Sequence, residues 1–301
     1  MAIKSSRSPS QMSRAGTGGL PFQVAAVCWI DLLGYGSMIA EAEFNPVHPG
    51  ARASITRLRA FHRIVAEHSD RQYRTLVLND GAVAYRDLSL RSSRVTYDFL
   101  ARSAALSEAL RASERRNGWP GARMVLAVGF RAKGSRRAMD AASGQLDSIL
   151  ARLDAGQIGA EEAVREAASI DRYFDVLPQL QANFAFTKAY VADAGGSSAG
   201  LAGPRLFVDE AIFDGGVPRW VSSEPAIPFQ DERLGIKARF VPVDRLVSPR
   251  RSGEEIPGMR NALQIAEAIA PSALVWDAIR AAQERASGSA GSKSRRSETA
   301  R

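Results

Sequence analysis

QVAAVCWIDLLGYG, residues 23–36, carries the strongest structural signal of the chain. The largely apolar run from Gln23 to Ile30 is too short for a helix of ordinary length, and its valines, tryptophan and isoleucine favour a buried strand. Asp31 closes this run, and Gly34 and Gly36 make the chain turn directly afterwards. Because an unpaired carboxylate beside a buried strand is costly, Asp31 is a candidate functional residue.

Outward from this strand, helical and strand patterns alternate along the chain. Apolar residues at helical spacing predict helices over 51–68 and 94–116. Two β-rich runs at 73–78 and 82–85 flank Asn79-Asp80-Gly81, which is a strong signal for a tight hairpin. Further strands are predicted at 124–130, 204–208 and 237–243. Further helices are predicted within 138–170, over 173–192 with a kink or start at Pro178, and over 258–282.

This order of elements predicts an α+β fold. It fits a ferredoxin-like mixed sheet with helices mainly on one face, a helical insertion at about 135–170 and a C-terminal helix. A doubly wound parallel sheet would not place a hairpin directly after the first helix.

The composition is that of a globular protein. The chain has 301 residues, of which 45% are hydrophobic and 24% charged, which excludes a wholly disordered chain. Its single cysteine, Cys28, and its three histidines exclude a disulfide scaffold and metal sites rich in cysteine or histidine. The apolar run near the start is too short to cross a bilayer, and no charged leader precedes it. We therefore expect a cytoplasmic protein with no membrane partner.

Positive charge is concentrated at the two ends. Residues 1–20 and residues 283–301 each carry +3 of the net charge of +8, which leaves +2 for the rest. Both ends are rich in serine, glycine and alanine, so they are predicted to be disordered basic tails around one domain over 21–282. Basic tails leave nucleic-acid binding open as a function, but the nearly neutral remainder argues against a specific nucleic-acid partner.

Asp31 and Asp80 are predicted to converge at one edge of the sheet. The C-terminal end of the first strand carries one acid and the hairpin tip carries the other, and the hairpin is expected to lie beside that strand. Converging carboxylates make a hard-oxygen site for Mg²⁺ or Mn²⁺. For Asp80 alone, an Asn-Asp-Gly turn is also common for its turn chemistry, so a purely structural role stays open.

Three segments resemble the motifs of class III nucleotidyl cyclase domains. Val27-Cys28-Trp29-Ile30-Asp31-Leu32-Leu33-Gly34-Tyr35 resembles the opening strand, aspartate and glycine turn of that family. The segment from Leu76 to Ala84 is similar to the family's second metal-aspartate hairpin, and Arg123 to Gly129 to its following strand. The resemblance covers about residues 22–210. These compact motifs are most similar to the pyrimidine cyclases of bacterial antiphage defence, the Pycsar systems.

The resemblance implies an activity, cofactors and partners. Two Mn²⁺ or Mg²⁺ ions per active site would be held by Asp31, Asp80 and the backbone carbonyl of Leu32. The substrate would be a nucleoside triphosphate, with UTP favoured and CTP second, converted to its 3′,5′-cyclic monophosphate and pyrophosphate. The protein would be a homodimer with its active sites at the interface. Its product would be a second messenger in antiphage defence, read by a separate cyclic-nucleotide-binding effector.

The same resemblance suggests which residues bind the substrate. Leu33, Gly34 and Tyr35 form the glycine turn, and Arg74 stands where the family has a purine-reading lysine. Arginine only donates hydrogen bonds, so it suits uracil O4 or O2 and equally guanine O6. Aromatic candidates for a pocket around a single-ring base, or alternatively for ordinary core packing, are Tyr73, Tyr85, Tyr35 and Phe130.

The chain departs from the family on its later helix. Members carry an asparagine followed four residues on by an arginine, whereas Asn183 is followed by Thr187 with Lys188 next to it. Asn183 and Lys188 are the candidate catalytic residues, although Lys188 also fits an exposed helix lysine. The alternatives are a non-catalytic, cyclase-like dimeric module that binds nucleotide, and a purine nucleotide cyclase.

Overall fold

The computed structural model describes residues 22–133, 141–170, 177–247, 249, 255–270 and 275–279. The two predicted basic tails lie outside these residues. The chain divides into two units, of which Phe22–Ile269 contains every strand and helix labelled below. The other unit consists of the two chain ends, and within it residues 275–279 are helical.

The described residues of the larger unit form an eight-stranded mixed sheet. Its strands are β1 (Phe22–Leu32), β2 (Arg74–Leu78), β3 (Gly81–Asp87), β4 (Ala122–Ala132), β5 (Leu206–Asp209), β6 (Val221–Ser223), β7 (Ile227–Asp231) and β8 (Ile236–Leu246). The order across the sheet is β2-β3-β1-β4-β5-β8-β6, with β7 paired to β8 as well. Among these described strands, only β4 and β5 run parallel to each other.

Seven α-helices are described in the larger unit. They are α1 (Tyr35–Glu41), α2 (Ala51–His68), α3 (Arg94–Arg116), α4 (Ala141–Asp154), α5 (Ala160–Ala168), α6 (Phe184–Gly195) and α7 (Ala262–Ile269). None of the helices in the described ranges has the length and apolar character needed to cross a membrane.

The central strand β1 packs against helices on both of its faces. Its side chains alternate, so Cys28 and Ile30 pack into one hydrophobic core and Val27 and Trp29 into another. Residues of α2, α3 and α7 belong to the first core and residues of α6 to the second. The order β2-β3-β1-β4, with α2 and α3 on one face, is the predicted ferredoxin-like α+β arrangement with helices mainly on one face.

Most predicted elements are confirmed. The helices over 51–68 and 94–116 match α2 and α3, and the predicted strands match β1 to β5 and β8 to within a few residues. The predicted insertion contains α4 and α5, and its residues 134–140 lie outside the described part. The sequence patterns did not predict α1, β6 or β7.

Two predicted helices have wrong bounds. The helix predicted over 173–192 begins only at Phe184, since the described residues 177–183 form turns and a bridge. The Oδ1 atom of Asn183 accepts the backbone N–H of Phe186, so this residue caps the helix instead of lying inside it. The helix predicted over 258–282 is interrupted after Ile269, because Ala270 precedes Pro271 and a residue before proline disfavours helical geometry.

Candidate active site

The sheet brings Asp31 and Asp80 next to each other. In the antiparallel pairing of β1 with β3, Asp31 lies opposite Gly81, the residue after Asp80. The N–H of Leu32 also donates to the carbonyl oxygen of Asp80, at 3.2 Å. The charge of Asp80 contributes to the raised pKa of Asp31, as expected for neighbouring carboxylates. The predicted convergence of the two acids at one edge of the sheet is therefore present in the fold.

Local contacts hold the hairpin tip that carries Asp80. Asn79 adopts a φ of 57°, and its Nδ2 atom donates to Oδ1 of Asp80 at 3.1 Å. The carbonyl oxygen of Asn79 lies 2.8 Å from Nε2 of His62 on α2. A Cβ atom on Gly81 would lie 3.1 Å from the indole ring of Trp29, so glycine lets that ring pack closely against the hairpin. The backbone around Asp80 is thus tied to both α2 and β1.

The turn after β1 passes directly beside the two acids. Leu33 donates its N–H to the carbonyl oxygen of Gly121 at 2.9 Å. Gly34 has a φ of 71°, which favours glycine, and a Cβ atom there would lie 3.3 Å from Pro120. Tyr35 is buried, and burial and the nearby charge of Asp80 raise its pKa. Leu33 and Gly34 therefore lie in the turn that directly follows Asp31, and their role in substrate binding stays a prediction, whereas the ring of Tyr35 packs into the core.

The surroundings of Asp31 disfavour the charged form of its carboxyl group when no cation is bound. The pKa of Asp31 is raised from 3.8 to about 6, mainly by burial and then by the charges of Asp193 and Asp80. Arg123 and Arg57 act in the opposite direction. The net effect keeps a proton on this carboxyl group to a much higher pH than is usual for aspartic acid.

Both nearby arginines are already paired with another acid. The Nε atom of Arg123 donates to Oδ1 of Asp193 at 2.5 Å, and the Nη2 atom of Arg57 donates to Oε2 of Glu114 at 2.6 Å. Across the described ranges, no salt bridge involves Asp31 or Asp80. Among the described residues the two acids thus have no salt-bridge partner, and a bound divalent cation would supply the missing positive charge.

The donor set fits Mg²⁺ or Mn²⁺ that keeps part of its hydration shell. Within the described residues, no group of three or more His, Cys, Asp or Glu side chains is arranged to hold a metal ion. Mg²⁺ commonly uses one or two carboxylates together with water and substrate phosphates. Asp31, Asp80 and the backbone carbonyl of Leu32 could supply such a site.

Sequence reasoning missed the two ion pairs beside the acids. Arg57 is fully buried in the apolar stripe of α2, and Glu114 is buried in the stripe of α3. A charged residue at a helical position that the apolar spacing places in the core could have indicated this ion pair, because a buried charge needs a partner. Asp193 also accepts the indole N–H of Trp29, at 3.1 Å, but no local pattern links residues so distant in the chain.

The prediction that Tyr73 binds substrate is wrong. Its side chain is fully buried on the α3 side of the sheet, where its hydroxyl group lies 3.0 Å from Oγ of Ser103 and its ring packs on Phe99. Neighbouring strand residues point to opposite faces, so Arg74 instead shares the face of Asp31 and is exposed. Its role in base recognition stays a prediction.

Of the other aromatic candidates, Tyr85 lies on the face of the sheet that carries Asp31, whereas Phe130 does not. Tyr85 is in the core on the α6 side and is paired in register with Arg74. Phe130 packs edge-on against Phe22 at the opposite end of β1, so it does not line this site.

Asn183 is far from the two acids within one chain, and Lys188 is held by another acid. Asn183 forms a bridge with Arg131, eight residues along β4 from Arg123, which corresponds to about 26 Å. Lys188 is only 14% exposed, and its Nζ atom lies 2.8 Å from Oδ2 of Asp209. The alternative of an exposed helix lysine is therefore wrong, and this amine is engaged in an ion pair.

Some solved structures are similar to the chain at low sequence identity. No protein-family model matches the chain, and no curated protein matches it. Among solved structures, the guanylyl cyclase Cya2 has a TM-score of 0.48 at 12% identity, over 78% of this chain and 99% of that one. The guanylyl cyclase domain of the RhoGC fusion protein from the aquatic fungus Blastocladiella emersonii has a TM-score of 0.36 at 8% identity, over 75% of this chain and 100% of that one. A bacterial light-regulated adenylyl cyclase has a TM-score of 0.35 at 12% identity, over 83% of this chain and 58% of that one.

Proposed function

We propose that the protein is a nucleotide cyclase that acts on a pyrimidine nucleoside triphosphate, with UTP favoured over CTP. The ribose 3′-oxygen attacks the α-phosphorus, the bond from that phosphorus to the oxygen bridging to the β-phosphate breaks, and the hydroxyl proton is released. The products are the 3′,5′-cyclic monophosphate and pyrophosphate. The observation that carries this proposal is the pair Asp31 and Asp80, which lie together without a cationic partner among the described residues.

The chain's own groups have distinct parts in this proposal. Asp31, Asp80 and the carbonyl oxygen of Leu32 hold two Mn²⁺ or Mg²⁺ ions. When bound, such ions activate the attacking hydroxyl group and neutralise charge on the phosphates. Leu33 and Gly34 border the triphosphate, and Arg74 donates to the base from the same face of the sheet.

A homodimer with active sites at its interface accounts for the separation of the candidate residues. Asn183 lies too far from Asp31 to act on the same substrate within one chain. A second copy could bring its α6 helix to the acids instead. The exposed aromatic side chains of α6 support such a contact, since Phe184 is 62% and Tyr190 50% exposed.

The biological role is proposed from the motif resemblance. The cyclic nucleotide would serve as a second messenger in antiphage defence and would be read by a separate effector that binds cyclic nucleotides. Nothing in the described fold selects among bases by itself, since the donors of Arg74 suit uracil and guanine alike.

Turnover with each of the four nucleoside triphosphates tests the activity. The purified full chain is incubated with Mn²⁺ and ATP, GTP, CTP or UTP, and the products are identified by mass. We expect cyclic UMP as the main product, and its loss in Asp31→Asn and in Asp80→Asn. Asp87→Asn is the matched control, because it lies on the same hairpin at the far end of β3. A folded protein that yields no cyclic product from any of the four contradicts the proposal, and a purine product would correct the base.

One observation favours a non-catalytic, nucleotide-binding module as the second possibility. Thr187 stands where cyclases carry an arginine, and the adjacent Lys188 is held by Asp209. Such a module would bind a triphosphate and Mn²⁺ through Asp31 and Asp80 without forming product. Calorimetric binding of UTP and Mn²⁺ alongside the turnover assay distinguishes the two.

A further inference from the structure

A buried arginine connects four segments of the chain beneath the candidate active site. Arg57 on α2 is 0% exposed, and its Nη2 atom lies 2.6 Å from Oε2 of Glu114 on α3. The same atom lies 3.0 Å from the carbonyl oxygen of Leu33 and 3.1 Å from that of Gly121. Its Nη1 atom lies 3.5 Å from the sulfur of Met38 on α1.

Glu114 completes this network from the other side. Its Oε2 atom also accepts the backbone N–H of Gly121, at 3.1 Å, just before β4 begins. Leu33 and Gly121 are in turn joined by their own backbone hydrogen bond of 2.9 Å. The ion pair therefore holds both strands of the backbone where the turn after β1 meets the start of β4.

The segment held in this way is the one that carries the site. Leu33 directly follows Asp31 and Leu32, two of the three groups proposed to bind metal. A shift of the Leu33 peptide would therefore move a carboxylate and a carbonyl ligand together. The groups that orient metal ligands commonly change metal affinity or activity about 10–100-fold when they are removed.

We propose that Arg57, held by Glu114, is a positioning residue that fixes the segment Asp31–Gly34 for divalent-cation binding. This inference rests on the proposed function. The planar guanidinium group is suited to the task, because it can donate to a carboxylate and to carbonyl oxygens at the same time. A lysine would keep the charge but would lose this fork of donors.

The test compares Mn²⁺ affinity between variants of the full chain, with free Mn²⁺ followed by electron paramagnetic resonance. The main variant is the double substitution Arg57→Met with Glu114→Leu, because removing both partners leaves no buried unpaired charge. Arg57→Lys is the second variant, which retains the charge. We expect both to bind Mn²⁺ at least about tenfold more weakly than the wild type. Backbone amides of residues 32–36 should also exchange hydrogen faster in both variants.

A matched ion pair far from the site controls for general loss of stability. Arg131 and Asp87 are paired at 2.6 Å at the opposite end of the sheet, so Arg131→Met with Asp87→Asn should retain wild-type Mn²⁺ affinity. All titrations are run well below the melting temperature of the least stable variant. Wild-type affinity in the Arg57 variants overturns the inference, as does an equal loss in the control. Absence of Mn²⁺ binding by the wild type overturns the proposed function, and with it this inference.

Discussion

Replacing Asp31 with asparagine is expected to stabilise the metal-free protein at neutral pH while it abolishes Mn²⁺ binding. Burial and two nearby acids raise the pKa of this carboxyl group to about 6 in the folded protein. The folded state therefore holds the proton more tightly than the unfolded state does. The resulting stability is fully present below about pH 4, falls as the pH rises to about 6, and is absent above that. Asparagine has no charge to bury, so the variant avoids this loss.

The size of the effect follows from the pKa. One pKa unit is worth about 1.4 kcal/mol, so the rise from 3.8 to about 6 corresponds to at most about 3 kcal/mol. Asp31 is only half-buried, and solvent screening reduces the effect, so we expect about 1–3 kcal/mol. For a domain of this size, each kcal/mol raises the melting temperature by about 2–4 °C.

Urea unfolding between pH 4 and pH 8 in the presence of a chelator measures this difference. The free energy of unfolding of Asp31→Asn should exceed that of the wild type by an amount that grows from pH 4 to about pH 7 and then stays constant. Asp87→Asn is a control of opposite sign, because Asp87 is paired with Arg131 and its loss should destabilise the protein. Added Mn²⁺ should stabilise the wild type but not Asp31→Asn. A difference that does not change with pH would refute the electrostatic account of Asp31.

Three further predictions test the fold and the assembly. Tyr73→Phe removes the hydroxyl contact with Ser103 and should cost about 1 kcal/mol of stability in urea unfolding, with an unchanged KM for nucleotide because the ring lies in the core. Gly129→Ala places a Cβ atom 2.8 Å from the backbone of α6 and should cost about 1–3 kcal/mol, and wild-type stability would contradict this contact. An equimolar mixture of Asp31→Asn and Asn183→Ala chains should regain about a quarter of wild-type turnover, because half of randomly paired twofold dimers contain one intact site. No recovery from two individually inactive chains would exclude sites shared between copies.

Several features of the fold were predictable because their signals are local. The spacing of apolar residues determined α2 and α3 to the residue, and the Asn-Asp-Gly tip determined the hairpin of β2 and β3. A strand, a helix and a hairpin in that order leave few ways to build a sheet. The meeting of Asp31 and Asp80 followed from this order.

Other features depended on interactions that no local pattern contains. The stretch before Asn183 has helical character in the sequence, yet the bridge to Arg131 holds it outside α6. Tyr73 and Arg74 are adjacent in sequence, and only the register of β2 decides which of them faces the site.

By itself, the sequence of this protein determined the order of most of its helices and strands, though not α1, β6 or β7, and it placed the two acids at the end of the first strand and at the tip of the hairpin. These depend on hydrophobic spacing and turn chemistry, which act over a few residues. Only the tertiary structure decided which charges surround the acids, because Arg57, Glu114, Arg123 and Asp193 lie on four different helices and strands. Because these four residues pair with one another, the two carboxylates have no cationic partner in the described part of the chain. Long-range packing, and not local pattern, determines which buried charges meet.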